Sequence, residues 1–194
     1  MSTTIDPSST ALLLMDYQPA ALAAVPDPEG VLARANEALA WARAHGVPVV
    51  FVRVALTEAD AAAVPARNKT FAAVAAGGYI AEGTPGTAFH DSLDIQEHDL
   101  TVRKIRFGAF ASDTDLRAEL RVRGVDTLVL GGLSTGGVVL TTLRQAADED
   151  YRLFVLADAT ADPDPEVHRV LIEKVFPHQA DIITTAELAA LSAS

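Results

Sequence analysis

A glycine-rich stretch, GGLSTGGVVLTT (residues 131–142), stands between an apolar run and a segment with helical character. Turns between a strand and a helix carry the chemistry of many α/β enzymes, because their backbone N–H groups point towards a ligand. Two charged residues also end or follow apolar runs: Asp16 after ALLLM, and Lys104 within VRKIRF. A carboxyl group and an ammonium group that converge on such a turn predict acid–base chemistry on a small molecule.

The elements that must position these residues are short apolar runs that alternate with helix-like segments. This alternation predicts six mainly parallel strands, joined by right-handed crossovers and covered by helices on both faces. The runs are ALLLMDY, VPVVFVRVAL, DLTVRKIRF, VDTLVLGGL, RLFVLAD and ADIIT. Ligands of such α/β sheets sit at the carboxyl ends of the strands. That edge is expected to carry Asp16, Lys104, the turn at 131–138 and Asp158.

Composition and charge narrow the class of protein. The 194 residues are 49% hydrophobic and contain no cysteine, which favours one domain over residues 1–194 and excludes disulfides and thiolate metal sites. A net charge of −11 argues against nucleic acid and anionic membranes as partners. The polar start, MSTTIDPSST, lacks the pattern of a signal peptide, and no apolar run has the length of a membrane span. We therefore expect a soluble cytoplasmic protein.

Several motifs compete for the glycine turn. A phosphate-binding loop requires Lys where Gly137 stands, and the G-x-G-x-x-G pattern of dinucleotide-binding folds is absent. GLSTG does match the G-x-S-x-G nucleophile elbow, with Ser134 as nucleophile. Asp158 and then His168 or His178 follow in the chain order of a serine hydrolase. The serine hydrolase interpretation stays open as an alternative.

Residues 132–142, GLSTGGVVLTT, also resemble the signature of isochorismatase-like hydrolases, the superfamily of nicotinamidases and N-carbamoylsarcosine amidase. ALLLMDYQ is similar to the family's first strand, which ends in the catalytic Asp, here Asp16. VRKIRFGAF is similar to the strand that carries the catalytic Lys, here Lys104, with Phe110 at the family's aromatic position. DEDYRLFVLADATAD is similar to the strand after the signature helix. The resemblance covers nearly the whole chain and implies a three-layer αβα fold with a six-stranded, mainly parallel sheet.

This sequence departs from the family pattern at the nucleophile, since Val138 occupies the cysteine position. The resemblance still implies a hydrolase, of the kind that protonates a vinyl ether from the Asp without a covalent intermediate, or acts on a related C–O or C–N bond. Asp16 is then the general acid or base, and Lys104 pairs with a substrate carboxylate. Backbone N–H groups at Ser134 and Val138 would form the oxyanion site. Further candidates for the substrate pocket are Gln18, Phe110, Thr135 and Gly137. A non-catalytic descendant that only binds a small molecule is the alternative.

The segment at 57–98 is rich in Ala, Gly and Pro, and its length predicts a partly helical excursion. It either covers the substrate site or contributes to a subunit interface. Together with the resemblance to an oligomeric superfamily, it predicts a homodimer or larger homo-oligomer. No histidine follows the second strand where nicotinamidases hold a metal, so we expect no metal and no cofactor. The resemblance also predicts a cis peptide bond between Leu133 and Ser134.

Overall fold

Six parallel strands form one sheet in the computed structural model, which describes residues 4–111 and 114–191. They are β1 (Thr10–Met15), β2 (Val49–Val54), β3 (Leu100–Lys104), β4 (Thr127–Leu133), β5 (Arg152–Ala161) and β6 (Asp181–Ile183). Their order across the sheet is β3-β2-β1-β4-β5-β6, and every neighbouring pair is parallel. This confirms the predicted α/β fold and all six predicted strands.

Helices cover both faces of the sheet. They are α1 (Pro19–Leu22), α2 (Pro28–Ala44), α3 (Glu58–Ala62), α4 (Lys69–Gly77), α5 (Leu116–Val122), α6 (Leu140–Ala147), α7 (Pro165–Val170) and α8 (Thr185–Leu191). The buried strand β1 supplies both cores alternately, because successive side chains of a strand point to opposite faces. Leu12 and Leu14 pack on the face covered by α2 and α8, whereas Leu13 and Met15 pack on the face of α5 and α6.

The strand order reverses between β1 and β4. From β1 the chain moves outward to β2 and β3, and from β4 it moves outward to β5 and β6 in the other direction. Connections therefore diverge at the carboxyl ends of β1 and β4 and leave a crevice there. Glycine permits the close approach of these strands, since a methyl group on Gly132 would lie 2.7 Å from the carbonyl oxygen of Met15. The crevice is where Asp16 and the glycine turn begin.

The segment at 57–98 is partly helical, as predicted, and contains α3, α4 and a short 3₁₀ turn at Pro85–Thr87. Thr57 and Asp60 form a reciprocal capping box at the start of α3, and Asn68 caps α4. Helix α4 lies over the crevice, as described below. A role in subunit contacts, and the homo-oligomer itself, stay predictions. No helix within the described part of the chain is long and apolar enough to cross a membrane.

Candidate active site

Asp16 and Lys104 form an ion pair at the carboxyl edge of the sheet. The Lys104 Nζ lies 2.7 Å from the Asp16 Oδ2, and the two side chains are 1% and 7% exposed. Lys104 is the last residue of β3, and its side chain passes the end of β2 to reach Asp16 after β1. Lys104 Nζ also donates to the carbonyl oxygen of Arg106 at 3.2 Å. The topology thus joins two residues that are 88 positions apart.

The Asp16 backbone turns sharply where β1 ends. Its φ of 60° lies in the left-handed region, which Asp tolerates better than most residues and which often marks functional sites. Its Oδ2 accepts the Lys104 hydrogen bond, whereas its buried Oδ1 has no hydrogen-bond partner among the described residues. Burial raises the pKa of the Asp16 carboxyl above its ordinary value, and the positive charge and hydrogen bond of Lys104 oppose this effect. One oxygen of this carboxyl group is therefore held, and the other is available.

A cavity of about 230 Å³ opens beside this pair. Asp16, Lys104, Ser134, Gly137 and Val138 all border it. Most of the remaining wall is apolar and includes Val25, Val54, Phe71, Val74, Ile80 and Phe107. Helix α4 supplies Phe71 and Val74, so the excursion covers one side of the cavity. Phe107 is 41% exposed and meets the Phe71 ring edge-on, with 5.0 Å between ring centroids.

The glycine turn passes from β4 into α6 through a single π-helical turn at Thr135–Val139. The Leu133–Ser134 peptide bond is cis, as predicted. The N–H groups of Gly137 and Val139 donate to the Ser134 carbonyl oxygen at 3.1 and 3.3 Å. The N–H of Gly136 donates to Asp162 Oδ2 at 2.8 Å. These three amides are thus used to hold the turn itself, which narrows the choice of donors for a substrate oxygen.

Polar contacts also hold the turn at Thr135 and Gly136, which do not border the Asp16 cavity. A hydrogen bond of 2.8 Å joins the buried Thr135 Oγ1 to the His168 Nδ1. Asp162, which binds Gly136, also lies close enough to His168 to affect its charge. Burial lowers the pKa of His168, and the Asp162 carboxylate acts in the opposite direction. Asp162 was not predicted from the sequence, because a polar residue beyond a strand end carries no pattern that marks it. His168 was named only as a candidate partner of Ser134 in a serine hydrolase, and its contact with Thr135 was not predicted.

Three of the sequence-predicted pocket residues do not border the cavity. Gln18 uses its side-chain amide to join two backbone segments, donating to the Val54 and Thr87 carbonyl oxygens and accepting from Val54 N–H. The Phe110 ring is buried in the core near Tyr151, and Thr135 points towards His168. Gly137, in contrast, borders the cavity.

The expected partners of Ser134 in a serine hydrolase are engaged elsewhere. Asp158 accepts hydrogen bonds from the N–H and hydroxyl of Thr185, and His168 binds Thr135. His178 borders a separate cavity with Asp181. Ser134 does border the cavity of Asp16. The geometry therefore gives this serine no assembled base, and it does not favour the serine hydrolase interpretation.

Across residues 4–111 and 114–191, no group of three or more His, Cys, Asp or Glu side chains has an arrangement suited to a metal ion. The expectation of no metal and no cofactor stays a prediction.

The isochorismatase domain model matches residues 10–187, which include every strand and the whole site. The chain belongs to the isochorismatase family. Its relatives include the isochorismatase family protein YwoC of Bacillus subtilis (strain 168), which is 31% identical over 94% of both chains. Ureidoacrylate amidohydrolase RutB of Methylobacterium radiotolerans is 33% identical over 88% of this chain and 74% of its own length. The family and these relatives show that the protein is a hydrolase.

Solved structures agree with this assignment of family and fold. A cysteine hydrolase from Pseudomonas syringae pv. phaseolicola superposes with a TM-score of 0.87 at 25% identity, covering 96% of this chain and 93% of that one. An isochorismatase family protein from Burkholderia thailandensis gives a TM-score of 0.83 at 28% identity, with 97% of each chain covered. The fold is thus shared along nearly the full length of this isochorismatase-family hydrolase.

Proposed function

We propose that this isochorismatase-family hydrolase cleaves a small molecule without a covalent cysteine intermediate, with Asp16 as general acid and base. The observation that carries the proposal is the buried Asp16–Lys104 pair, which leaves Asp16 Oδ1 unpartnered at the cavity. The 194 residues hold no cysteine, and we place Val138 at the position of the family's thiol. Val138 then supplies a wall and its backbone, but no nucleophile.

Each member of the pair has a separate task in this mechanism. Lys104 fixes the carboxyl group through Oδ2 and stabilises the negative charge that appears when the proton leaves. In the resting pair Asp16 is ionised and compensates Lys104. Oδ1 takes up the proton when a substrate fills the cavity and then transfers it, because it is the oxygen without a partner. Burial raises the pKa of Asp16, so the carboxyl group can take up this proton at a higher pH than an exposed Asp would. A raised pKa is what a general acid that works near neutral pH requires.

For a vinyl ether, Asp16 protonates the terminal alkene carbon, and the electron pair of the double bond forms the new C–H bond. The resulting oxocarbenium ion is attacked by water at its carbon. The attacking water gives a proton back to the Asp16 carboxylate, which restores the acid. The hemiketal that forms then separates into a carbonyl compound and an alcohol. No protein atom becomes bonded to the substrate in this sequence.

A carbonyl substrate would use the same groups in another order. The Asp16 carboxylate would take a proton from a water that attacks the carbonyl carbon, and a backbone N–H would donate to the developing oxyanion. When the oxyanion collapses, the C–N or C–O bond breaks and Asp16 gives its proton to the leaving nitrogen or oxygen, which restores the carboxylate. We propose the Val138 N–H as that donor, since Val138 borders the cavity and the amides of Gly137 and Val139 already bind Ser134. The RutB relatives, which are amidohydrolases, support the inclusion of C–N bonds among the substrates to be tested.

A substrate screen with three proteins tests the proposal. Vinyl ethers, amides and esters should include at least one compound that wild type and Ser134→Ala both hydrolyse and Asp16→Asn does not. Labelling of the wild type by a fluorophosphonate, together with loss of activity in Ser134→Ala, would instead establish a serine nucleophile. A wild type that binds compounds from the screen but turns over none would identify a binding protein and contradict the proposed hydrolysis.

A further inference from the structure

The cavity of the proposed active site is small and its wall is mostly hydrocarbon. Its volume of about 230 Å³ compares with about 150 Å³ for an apolar protein cavity that admits benzene. One substituted ring, or a branched chain of similar size, would fill it. Val54, Phe71, Val74 and Phe107 give this ligand an apolar surface on several sides.

The charges in this cavity compensate each other. Lys104 is the sole cation among the described residues that border it, and its ammonium group already binds Asp16 and the carbonyl oxygen of Arg106. A carboxylate on the ligand would have to displace Asp16 from Lys104 or enter together with a proton for Asp16. Either event carries a cost that a neutral ligand avoids, because a buried charge without a partner is strongly unfavourable.

The arginines near the cavity do not offer an obvious second anion site. Arg53 pairs with Glu82, and Arg103 pairs with Asp60. Arg106 lies with its guanidinium 5.1 Å from the centroid of the Phe71 ring, and its Nη1 donates to the Ile105 carbonyl oxygen. Arg106 is therefore the residue to test as a competing anchor for an anion.

One polar atom in the cavity still lacks a partner. Asp16 Oδ1 is buried and has no hydrogen bond within the described structure, although its carboxyl group borders the cavity. A buried acceptor without a hydrogen bond is unfavourable, and a ligand or water that supplies the hydrogen bond removes this cost. The ligand thus needs a polar group at one end only, next to Asp16.

We propose that the cavity selects a compact, electrically neutral and mainly apolar substrate with a single polar group placed against Asp16, and that it disfavours carboxylates of the same shape. This inference rests on the proposed function, in that it takes this cavity as the active site. It replaces the expectation that Lys104 pairs with a substrate carboxylate, because the ammonium group is already neutralised by Asp16.

Three probes of one shape and different charge test the selectivity without any turnover. Benzamide is neutral, benzoate is anionic and benzamidine is cationic at about pH 8. Titrations followed by NMR should give benzamide the lowest Kd, with the two charged probes at least about tenfold weaker, as expected for an unpaired charge in a desolvated site. Equal or tighter binding of benzoate or benzamidine overturns the proposal, as does the absence of binding by benzamide. If benzoate binds best and Arg106→Met removes that binding, the overturning cause is an anion site at Arg106.

Two variants of the pair should reverse the order of the probes. Asp16→Asn leaves the Lys104 charge uncompensated, so benzoate should become the tightest ligand. Lys104→Met leaves the Asp16 charge uncompensated, so benzamidine should become the tightest ligand of that variant. An unchanged order in both folded variants would show that the pair does not set the selectivity and would overturn the proposal. If either variant fails to fold, the order of the three probes on wild type decides alone.

Two variants at the border of the cavity test whether benzamide binds inside it. Ala23 and Ala24 are adjacent and exposed, but only Ala24 is among the described residues that border the cavity. Ala24→Trp should weaken benzamide binding, and Ala23→Trp should leave it unchanged. Equal effects would place the probe elsewhere and contradict the proposal.

The proposed function and the proposed selectivity can fail separately. Selective benzamide binding by a protein that hydrolyses nothing in the substrate screen would contradict only the proposed hydrolysis. Asp16-dependent turnover restricted to carboxylates would contradict only the selectivity.

Discussion

Two aspartates with buried side chains pair with cations at opposite ends of the parallel strands, and their pKa values shift in opposite directions. Asp16 follows the carboxyl end of β1, and Asp99 precedes the amino end of β3. Both Asp99 oxygens bind the Arg43 guanidinium, and its Oδ2 also accepts the Gln96 N–H at 2.7 Å. Burial raises the pKa of Asp99, but these hydrogen bonds and the charge of Arg43 outweigh it and hold the pKa below its ordinary value.

The difference lies in the number of hydrogen bonds that each carboxylate receives. Asp16 has a single donor, Lys104, and its Oδ1 has no partner in the described structure. Burial therefore prevails at Asp16 and raises its pKa. A carboxylate whose oxygens are all bound stabilises the fold, whereas one with a free oxygen at a cavity is suited to proton transfer. The fold thus contains both a structural ion pair and one that we propose to be catalytic.

Activity should separate the two aspartates most strongly. Asp16→Asn should lower kcat by roughly 10²- to 10⁴-fold, the usual contribution of general acid–base catalysis, because an amide cannot transfer the proton. Asp99→Asn should leave kcat within about twofold, since Asp99 lies at the other end of the strands. Steady-state kinetics on any substrate found in the screen measures both. Full activity in folded Asp16→Asn would remove the proposed role of Asp16.

Stability should respond in the reverse order. Asp99→Asn removes the charge-assisted hydrogen bonds of Arg43 and should lower the free energy of unfolding by about 1–3 kcal/mol. Joint replacement of the other pair, Asp16→Asn with Lys104→Met, should leave stability unchanged or raise it, by up to about 4 kcal/mol, as for other buried pairs exchanged for uncharged groups. Urea denaturation compares the two proteins. A double variant that is less stable than Asp99→Asn would mean that the Asp16 pair is also structural.

The pH dependence of stability should have opposite signs at the two sites. The lowered pKa of Asp99 stabilises the fold above its unfolded-state pKa of about 4, and this contribution is lost as pH falls through the folded-state value. The raised pKa of Asp16 means that the native state retains a proton which the unfolded chain releases, so stability falls as pH rises above about 4.

The corresponding variants isolate each contribution. The free energy of unfolding of the wild type, minus that of Asp99→Asn, should be largest near neutral pH and should become smaller in acid. The same difference between the wild type and Asp16→Asn should decrease as pH rises through the window between the unfolded-state and folded-state pKa values of Asp16. Urea denaturation between about pH 3 and 8 gives both differences. Slopes of the same sign would refute the assignment of opposite shifts.

The smallest effect is expected at Val138, which borders the Asp16 cavity without a polar side chain. Val138→Ala should change kcat by less than about threefold and cost about 1 kcal/mol of stability, the loss typical of a few buried methyl groups. Kinetics and urea denaturation of the single variant measure these values. A loss of activity as large as that of Asp16→Asn would show that the Val138 side chain itself shapes the reacting geometry.

Much of the fold followed from local patterns. The mainly apolar runs predicted all six strands; the signal was strongest for the central strands β1 and β4, which are buried on both faces and carry almost only apolar side chains. The order of strands and helices then placed Asp16, Lys104 and the glycine turn at one edge. The cavity wall was less predictable, since Phe71 and Val74 lie in an Ala-rich segment whose helix packs against the site only in the folded chain. Gln18 illustrates the same limit: its sequence position suggested the pocket, but its amide joins backbone segments instead.

The sequence by itself determined the kind of chemistry that is available: an α/β fold, no thiol, and a carboxyl group and an ammonium group at strand ends. The tertiary structure alone decided which atoms of those groups are free. Lys104 binds Asp16 Oδ2 and leaves Oδ1 without a hydrogen-bond partner in the described structure. The segment at 57–98 adds apolar side chains to the wall of the cavity that the two residues border. The physical reason is that strand patterns depend on neighbours along the chain. Hydrogen bonding and desolvation of a carboxyl group depend on residues that only packing brings within a few ångströms.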